Sequence, residues 1–287
     1  MGSKTSIAWT ERTWNPVVGC SLVSPGCSRC YAMHDAKRIS EHPNPKVSAK
    51  YAGLTREGPE GPVWNGTVRI ADEETLRAPA RWTRPSRIFV NSMSDLFHEN
   101  LPDADVTRIL DVIAENPRHA YQILTKRADR MAELVAKWLD ANGLEILPPN
   151  VEIGVSAEDS RRFAERLPGL LKTRASFRWI SMEPMIGPID AAPAVEADVD
   201  LLVVGGESLP FALRKKKEVR AKPFDVSWAE NVLDVVRREN ARKGDERPKT
   251  RFFMKQLGEN PVGASRRTAK GDQFDEFPEK LRVRELP

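Results

Sequence analysis

The sequence predicts an α/β fold, a partial or complete parallel β/α (TIM-like) barrel. Apolar, strand-like runs alternate with segments of helical periodicity along most of the chain, as parallel strands joined by crossover helices require. No Gly-x-Gly-x-x-Gly follows the first strand, which disfavours an open dinucleotide-binding sheet. Polar and charged residues also recur where the strand-like runs end, and in a β/α barrel those ends share one functional face.

The elements follow in order. Residues 7–18, with Trp9, Trp14 and the pair Val17-Val18, read as a first strand leading into a loop that holds all three cysteines. Residues 31–41 have helical spacing, with Ala32, Ala36 and Ile39 on one side. The stretch 42–66 is rich in Pro, Gly and Asn and is expected to be an inserted loop; loops of that length are usually functional or mobile. A short strand at 67–70 and a short helix at 72–77 come next. Buried-strand signals at 87–92, 120–125 and 150–156 alternate with helices at 102–115, 128–139 and 159–171. Strands at 177–183 and 200–206, a helix at 226–240 and a strand at 250–255 complete a domain expected over 1–260. Residues 261–287 read as an irregular tail.

With 287 residues, 40% hydrophobic and 30% charged, the chain can bury a substantial core. No apolar run approaches the roughly 20 residues that span a bilayer. Residues 1–6 lack the apolar stretch of a secretory signal. A cytoplasmic protein without a membrane partner is expected. The net charge of +4 permits contact with nucleic acid. A basic run begins at Arg214-Lys215-Lys216-Lys217 and continues through Arg220 and Lys222, and a solvated face is its competing explanation.

Cys20, Cys27 and Cys30 form an odd, clustered set, which suits metal binding in a reducing compartment better than a disulfide framework. Soft thiolates suit zinc and iron-sulfur clusters alike. His34 would complete a tetrahedral Cys3His zinc site, whereas a cubane held by three cysteines leaves one iron open to an exogenous ligand.

Cys27-Ser28-Arg29-Cys30-Tyr31, a Cys-x-x-Cys-aromatic pair after the first strand of a β/α barrel, resembles the radical S-adenosylmethionine (SAM) superfamily. Trp14-Asn15-Pro16-Val17-Val18-Gly19-Cys20, Phe89 to His98, Leu124-Thr125-Lys126-Arg127, Glu183-Pro184, Val204 to Ser208 and Phe253-Met254-Lys255-Gln256 resemble, more closely, a phage and bacterial radical-SAM-like family of uncertain function. The resemblance implies a barrel of the radical SAM type with a [4Fe-4S] cluster on Cys20, Cys27 and Cys30. Its open iron would be chelated by S-adenosylmethionine. An electron from a donor such as a flavodoxin or ferredoxin would cleave the sulfonium to a 5'-deoxyadenosyl radical that takes hydrogen from a substrate.

Two departures limit what transfers from the superfamily. Six residues separate Cys20 from Cys27 where three are commonest, and the Gly-Gly-Glu expected after the second strand occurs only at Gly205-Gly206-Glu207. By position Ser92, Ser94 and Asp95 are the candidates for the methionyl amino group. Ser156 suits the ribose or carboxylate, with Arg161 or Arg162 as a carboxylate partner. Glu183 suits the ribose or a substrate, and Gly205 and Gly206 would permit close approach of the adenine. Lys126, Arg127 and Lys255 suit a substrate phosphate. Helix caps, tight turns and surface ion pairs explain the same residue types. No catalytic acid, base or radical-quenching residue stands out. The substrate class implied is a nucleic acid or nucleotide; the reading from another class is a zinc-stabilised nucleic-acid-binding protein.

Overall fold

The computed structural model describes residue 5, residues 7–216 and residues 218–287. Most of the N-terminal stretch read for a secretory signal, and Lys217 of the basic run, lie outside the described residues. Seven strands form one parallel sheet: β1 (Arg12–Trp14), β2 (Arg87–Val90), β3 (Ala120–Thr125), β4 (Val151–Ser156), β5 (Phe177–Met182), β6 (Leu201–Gly205) and β7 (Arg251–Gln256). Their order in the sheet is their order in the sequence, with β1 and β7 at opposite edges. The expected barrel is therefore partial rather than closed. All residues of β4 and β6 are buried, the unbroken apolar reading typical of parallel strands covered on both faces.

The predicted helices appear as α1 (Tyr31–Ser40), α2 (Asp103–Ala114), α3 (Ala128–Ala141), α4 (Ser160–Lys172) and α5 (Val226–Arg242). Each buries one stripe, such as Val106, Ile109, Leu110 and Ile113 in α2. No helix among the described residues is long and apolar enough to cross a membrane.

The chain divides into two compact units, Met1–Gly154 with Lys172–Ser176, and Val155–Leu171 with Phe177–Pro287. In the first unit, residues 42–66 are not the uniform loop their composition suggests. Asn44 caps a one-turn helix at Pro45–Ser48, and Thr55–Gly58 pairs antiparallel with Gly61–Trp64. Local Pro and Gly make the turns, and distant contacts make the order: Tyr51, Leu54 and Trp64 join Val18, Ala32, Met33, Ala36 and Met93 in a buried cluster.

In the second unit, residues 261–287 are mostly irregular but anchored. Phe277 and Leu281 are buried. Met254 N–H donates to the Val283 carbonyl and Glu285 N–H to the Phe252 carbonyl, so the last residues cover the outer edge of β7.

Candidate functional site

The cysteine loop belongs wholly to the first unit. Past β1, Val17–Val18 pairs with Arg69–Ile70, and Gly19 then turns the chain at φ +91°. A Cβ there would lie 2.1 Å from the Thr67 carbonyl oxygen, so only glycine fits. The bend is pinned by Gly19 N–H donating to the Met93 carbonyl (3.1 Å) and by Ser94 Oγ donating to the Gly19 carbonyl (2.5 Å). A 3-10 turn at Pro25–Cys27 and the start of α1, where Cys30 is the N-cap residue, place the other two cysteines. Cys20 and Cys30 pack against the apolar cluster that contains Met33 and Trp64.

The thiols feel burial and one another. Burial and the neighbouring Asp95 charge push Cys20 up to about 12, with Cys30 and Cys27 adding to the rise. Burial pushes Cys30 up to about 11, opposed in part by the Lys126 charge. Without a metal these two sulfurs hold their protons at neutral pH. Among the described residues no three His, Cys, Asp or Glu side chains converge as ligands of a single metal ion do. The His34 ring lies against Gly61 of the hairpin.

Arg127, at the N-terminus of α3, is the charged centre of this region. Its Nη1 lies 3.0 Å from Asp95 Oδ2 and 3.9 Å from Cys20 Sγ, its Nε donates to Glu99 Oε2 at 2.6 Å, and its Nη2 donates to Ser21 Oγ at 2.7 Å. Its side chain is only 10% exposed. Against burial, which raises it, hydrogen bonds from Arg127 and Ser21 hold Glu99 down to about 2.

Asp95 is saturated. Its Oδ1 accepts from Phe97 N–H and Thr125 Oγ1 (2.6 Å), and its Oδ2 accepts from Lys126 N–H and Arg127. Ser92 Oγ and Met93 N–H both donate to Asn15 Oδ1 at 3.1 Å, and Tyr31 Oη donates to the Ser92 carbonyl. Thus Ser92, Ser94, Asp95, Lys126 and Arg127 do gather beside the cysteine loop, but Ser92, Ser94, Asp95 and Arg127 are tied to protein partners.

Asn15 and Asn91, the latter one of the polar residues at strand ends, lie outside the candidate set that the sequence offers. Asn91 ends β2 at φ +62°, accepts from Val17 N–H on Oδ1, and leaves its buried Nδ2 without a partner. Asparagine is among the few non-glycine residues that enter this left-handed conformation readily.

The remaining candidates lie in the second unit. Ser156 ends β4 buried, and its carbonyl accepts from Arg166 Nη1 at 2.7 Å. Arg166 in turn pairs with the fully buried Glu158 at 2.8 Å. Arg161, expected near Ser156, is exposed on α4 and donates to Glu165 at 2.7 Å. The arginine that reaches Ser156 is thus further along the helix.

Glu183, just past β5, lies 2.9 Å from Lys255 Nζ on β7. Gly205 makes this approach possible, since a Cβ there would lie 2.6 Å from Glu183 Oε1. A Cβ on Gly206 would lie 2.3 Å from the Leu257 carbonyl oxygen. Both glycines therefore serve close protein contacts in this structure. Glu207 is buried and accepts from Lys222 N–H (2.7 Å) and Nζ (3.2 Å).

Three solved structures of spore photoproduct lyase share the fold. A Cys-to-Ala variant with dinucleoside spore photoproduct has a TM-score of 0.51 at 12% identity, and a Cys-to-Ser variant gives the same values. A double variant with bound AdoMet and dinucleoside spore photoproduct has a TM-score of 0.50 at 13% identity. Each match covers 88% of this chain and 78% of the lyase chain. At this identity the likeness is one of fold. No curated protein matches the chain in sequence. A family model does match residues 4–279, nearly the whole chain, and the protein therefore belongs to the family described as Protein of unknown function (DUF5131).

Proposed function

We propose that the protein is a radical S-adenosylmethionine enzyme in which Cys20, Cys27 and Cys30 hold a [4Fe-4S] cluster and the substrate is a nucleic acid or a nucleotide. The observation that carries this reading is the cysteine loop itself: three thiols within residues 20–30, after the first strand of a partial parallel β/α barrel, two of them seated on an apolar cluster. The donor set fits the group. It is all sulfur, as iron-sulfur clusters require. Its ligands need not crowd round one ion as four zinc ligands must, because each binds a separate iron. Binding would take the protons that Cys20 and Cys30 now hold. The lyase whose fold is shared holds AdoMet and a dinucleoside in one solved structure, which supports the cofactor and substrate class.

Once reduced by a donor such as a flavodoxin or ferredoxin, the cluster would supply one electron for cleavage of S-adenosylmethionine. The chain supplies the setting. Gly19 and Ser94 fix the backbone that presents Cys20, and Arg127 directs N–H toward the Cys20 sulfur from a position fixed by Asp95 and Glu99. In the second unit, Glu183 and Lys255 at the carboxyl ends of their strands are the groups proposed to meet ribose or phosphate.

Anaerobic reconstitution with iron and sulfide, followed by electron paramagnetic resonance with and without S-adenosylmethionine, tests the proposal. The expected result is a reduced-cluster signal that shifts on addition, with 5'-deoxyadenosine formed in the same tube. Tight stoichiometric zinc, lost on His34→Ala, together with failure to assemble a cluster would overturn it in favour of a zinc-stabilised binding protein.

A further inference from the structure

The segment from Phe211 to Lys222 follows β6 in the second unit and has an unusual composition: six lysines and arginines against one glutamate, opened by a phenylalanine. Its two ends are fastened. Leu209, Leu213 and Ala221 form a small buried cluster beneath it, against which Val219 packs. At one end Arg214 Nε donates to Glu259 at 2.6 Å, and at the other Lys222 is held by buried Glu207. Arg214 and Lys222 thus act as anchors. Lys215, Lys216 and Arg220 are exposed.

Phe211 is the anomaly. Its side chain belongs in a core by chemistry, yet it is 70% exposed. The ammonium of Lys215 stands 4.6 Å from its ring centroid, a cation–π pair made on the surface. An exposed aromatic face beside several cations is the combination that holds unpaired bases, the ring by stacking and the cations through phosphates.

We infer that residues 211–222 form a docking surface for single-stranded nucleic acid, with Phe211 as a stacking platform and Lys215, Lys216 and Arg220 as phosphate contacts. The inference deepens the nucleic-acid part of the proposed function and rests on that reading for its biological sense. Duplex readout suits the surface poorly, because the helix here runs only from Phe211 to Arg214 and cannot lie along a major groove. A membrane surface suits it poorly as well, because an interfacial helix needs an apolar face and Phe211 is the only large apolar side chain exposed among the described residues of the segment.

The test is the fluorescence anisotropy of a labelled oligothymidylate titrated with the purified, iron-free protein at several salt concentrations. Wild-type protein is expected to bind with a log–log salt slope of about −2, from three cations at about 0.7 each. Phe211→Ala should weaken binding at least about fivefold with the slope unchanged, and Phe211→Trp should restore it. The double change Lys215→Glu with Arg220→Glu should flatten the slope. The melting midpoint should stay put in each, since these side chains are exposed. No binding by wild type, an unchanged affinity in Phe211→Ala, or tighter binding to phosphatidylserine vesicles than to the oligonucleotide overturns the inference. Because the readout needs no cluster, failure to bind leaves the radical chemistry untouched, and failure to assemble a cluster leaves this surface untouched.

Discussion

Arg127 already has its hydrogen-bonding directions filled by Asp95, Glu99, Ser21 and the Cys20 sulfur. Read as sequence, a lysine-arginine pair at a strand end suits a phosphate; which acceptors surround it is decided by residues distant in the chain. The pair with Asp95 is buried on both sides, at 10% and 8% side-chain exposure. Arg127→Gln should therefore leave a carboxylate without its counter-charge and cost about 3–5 kcal/mol in urea unfolding. Asp95→Asn alone should also be costly, because its amide NH2 would face the N–H donors that the carboxylate accepts, but the double variant should lose less than the two single losses added together. Strictly additive losses would show that the pair is not what is being broken. Gly205 and Gly206 teach the same lesson: composition shows that something comes close, and only the fold shows that it is Glu183 and the Leu257 carbonyl.

Among the elements, the sheet strands and the long helices were legible because each needs only its own periodicity and apolar run. The hairpin at Thr55–Trp64 was not, because Pro and Gly dominate its composition and the residues that stabilise it, Met33 and Ala36, lie on α1. The C-terminal stretch reads as irregular and mostly is, but its anchoring leaves no mark in the sequence, because it is organised round a polar group. Glu276 accepts from the backbone of Arg267, Thr268 and Gln273 and from Thr268 Oγ1. Against burial, which raises it, these bonds hold its carboxyl down to about 2 from an ordinary 4.5. A carboxyl lowered in the folded state stabilises above its unfolded value and loses that contribution as pH falls toward the folded one. The stability this carboxyl contributes should thus begin to fall below about pH 4.5, while the folded-state amide resonances of residues 267–277 should move near pH 2. Glu276→Gln should remove that step.

For the whole molecule, a partial barrel has a consequence that a closed one avoids: two sheet edges, and an open edge recruits strands from other chains. Here Val283 and Glu285 lie along β7 and engage its backbone. Removing residues 282–287 should bare that edge and give concentration-dependent association by light scattering, while a monodisperse truncated protein would show that the cover is dispensable. The alternation of strands and helices foretold parallel strands; whether they closed could not be read, since closure depends on a pairing between the first and last strands that leaves no local mark. The order of the sheet matters for synthesis as well. Because neighbours in space are neighbours in sequence, a chain leaving the ribosome lays each strand beside one already made, and the cysteines with Arg127 are all translated before β4. The thiols and their arginine are therefore available to each other while more than half the polypeptide is still unborn.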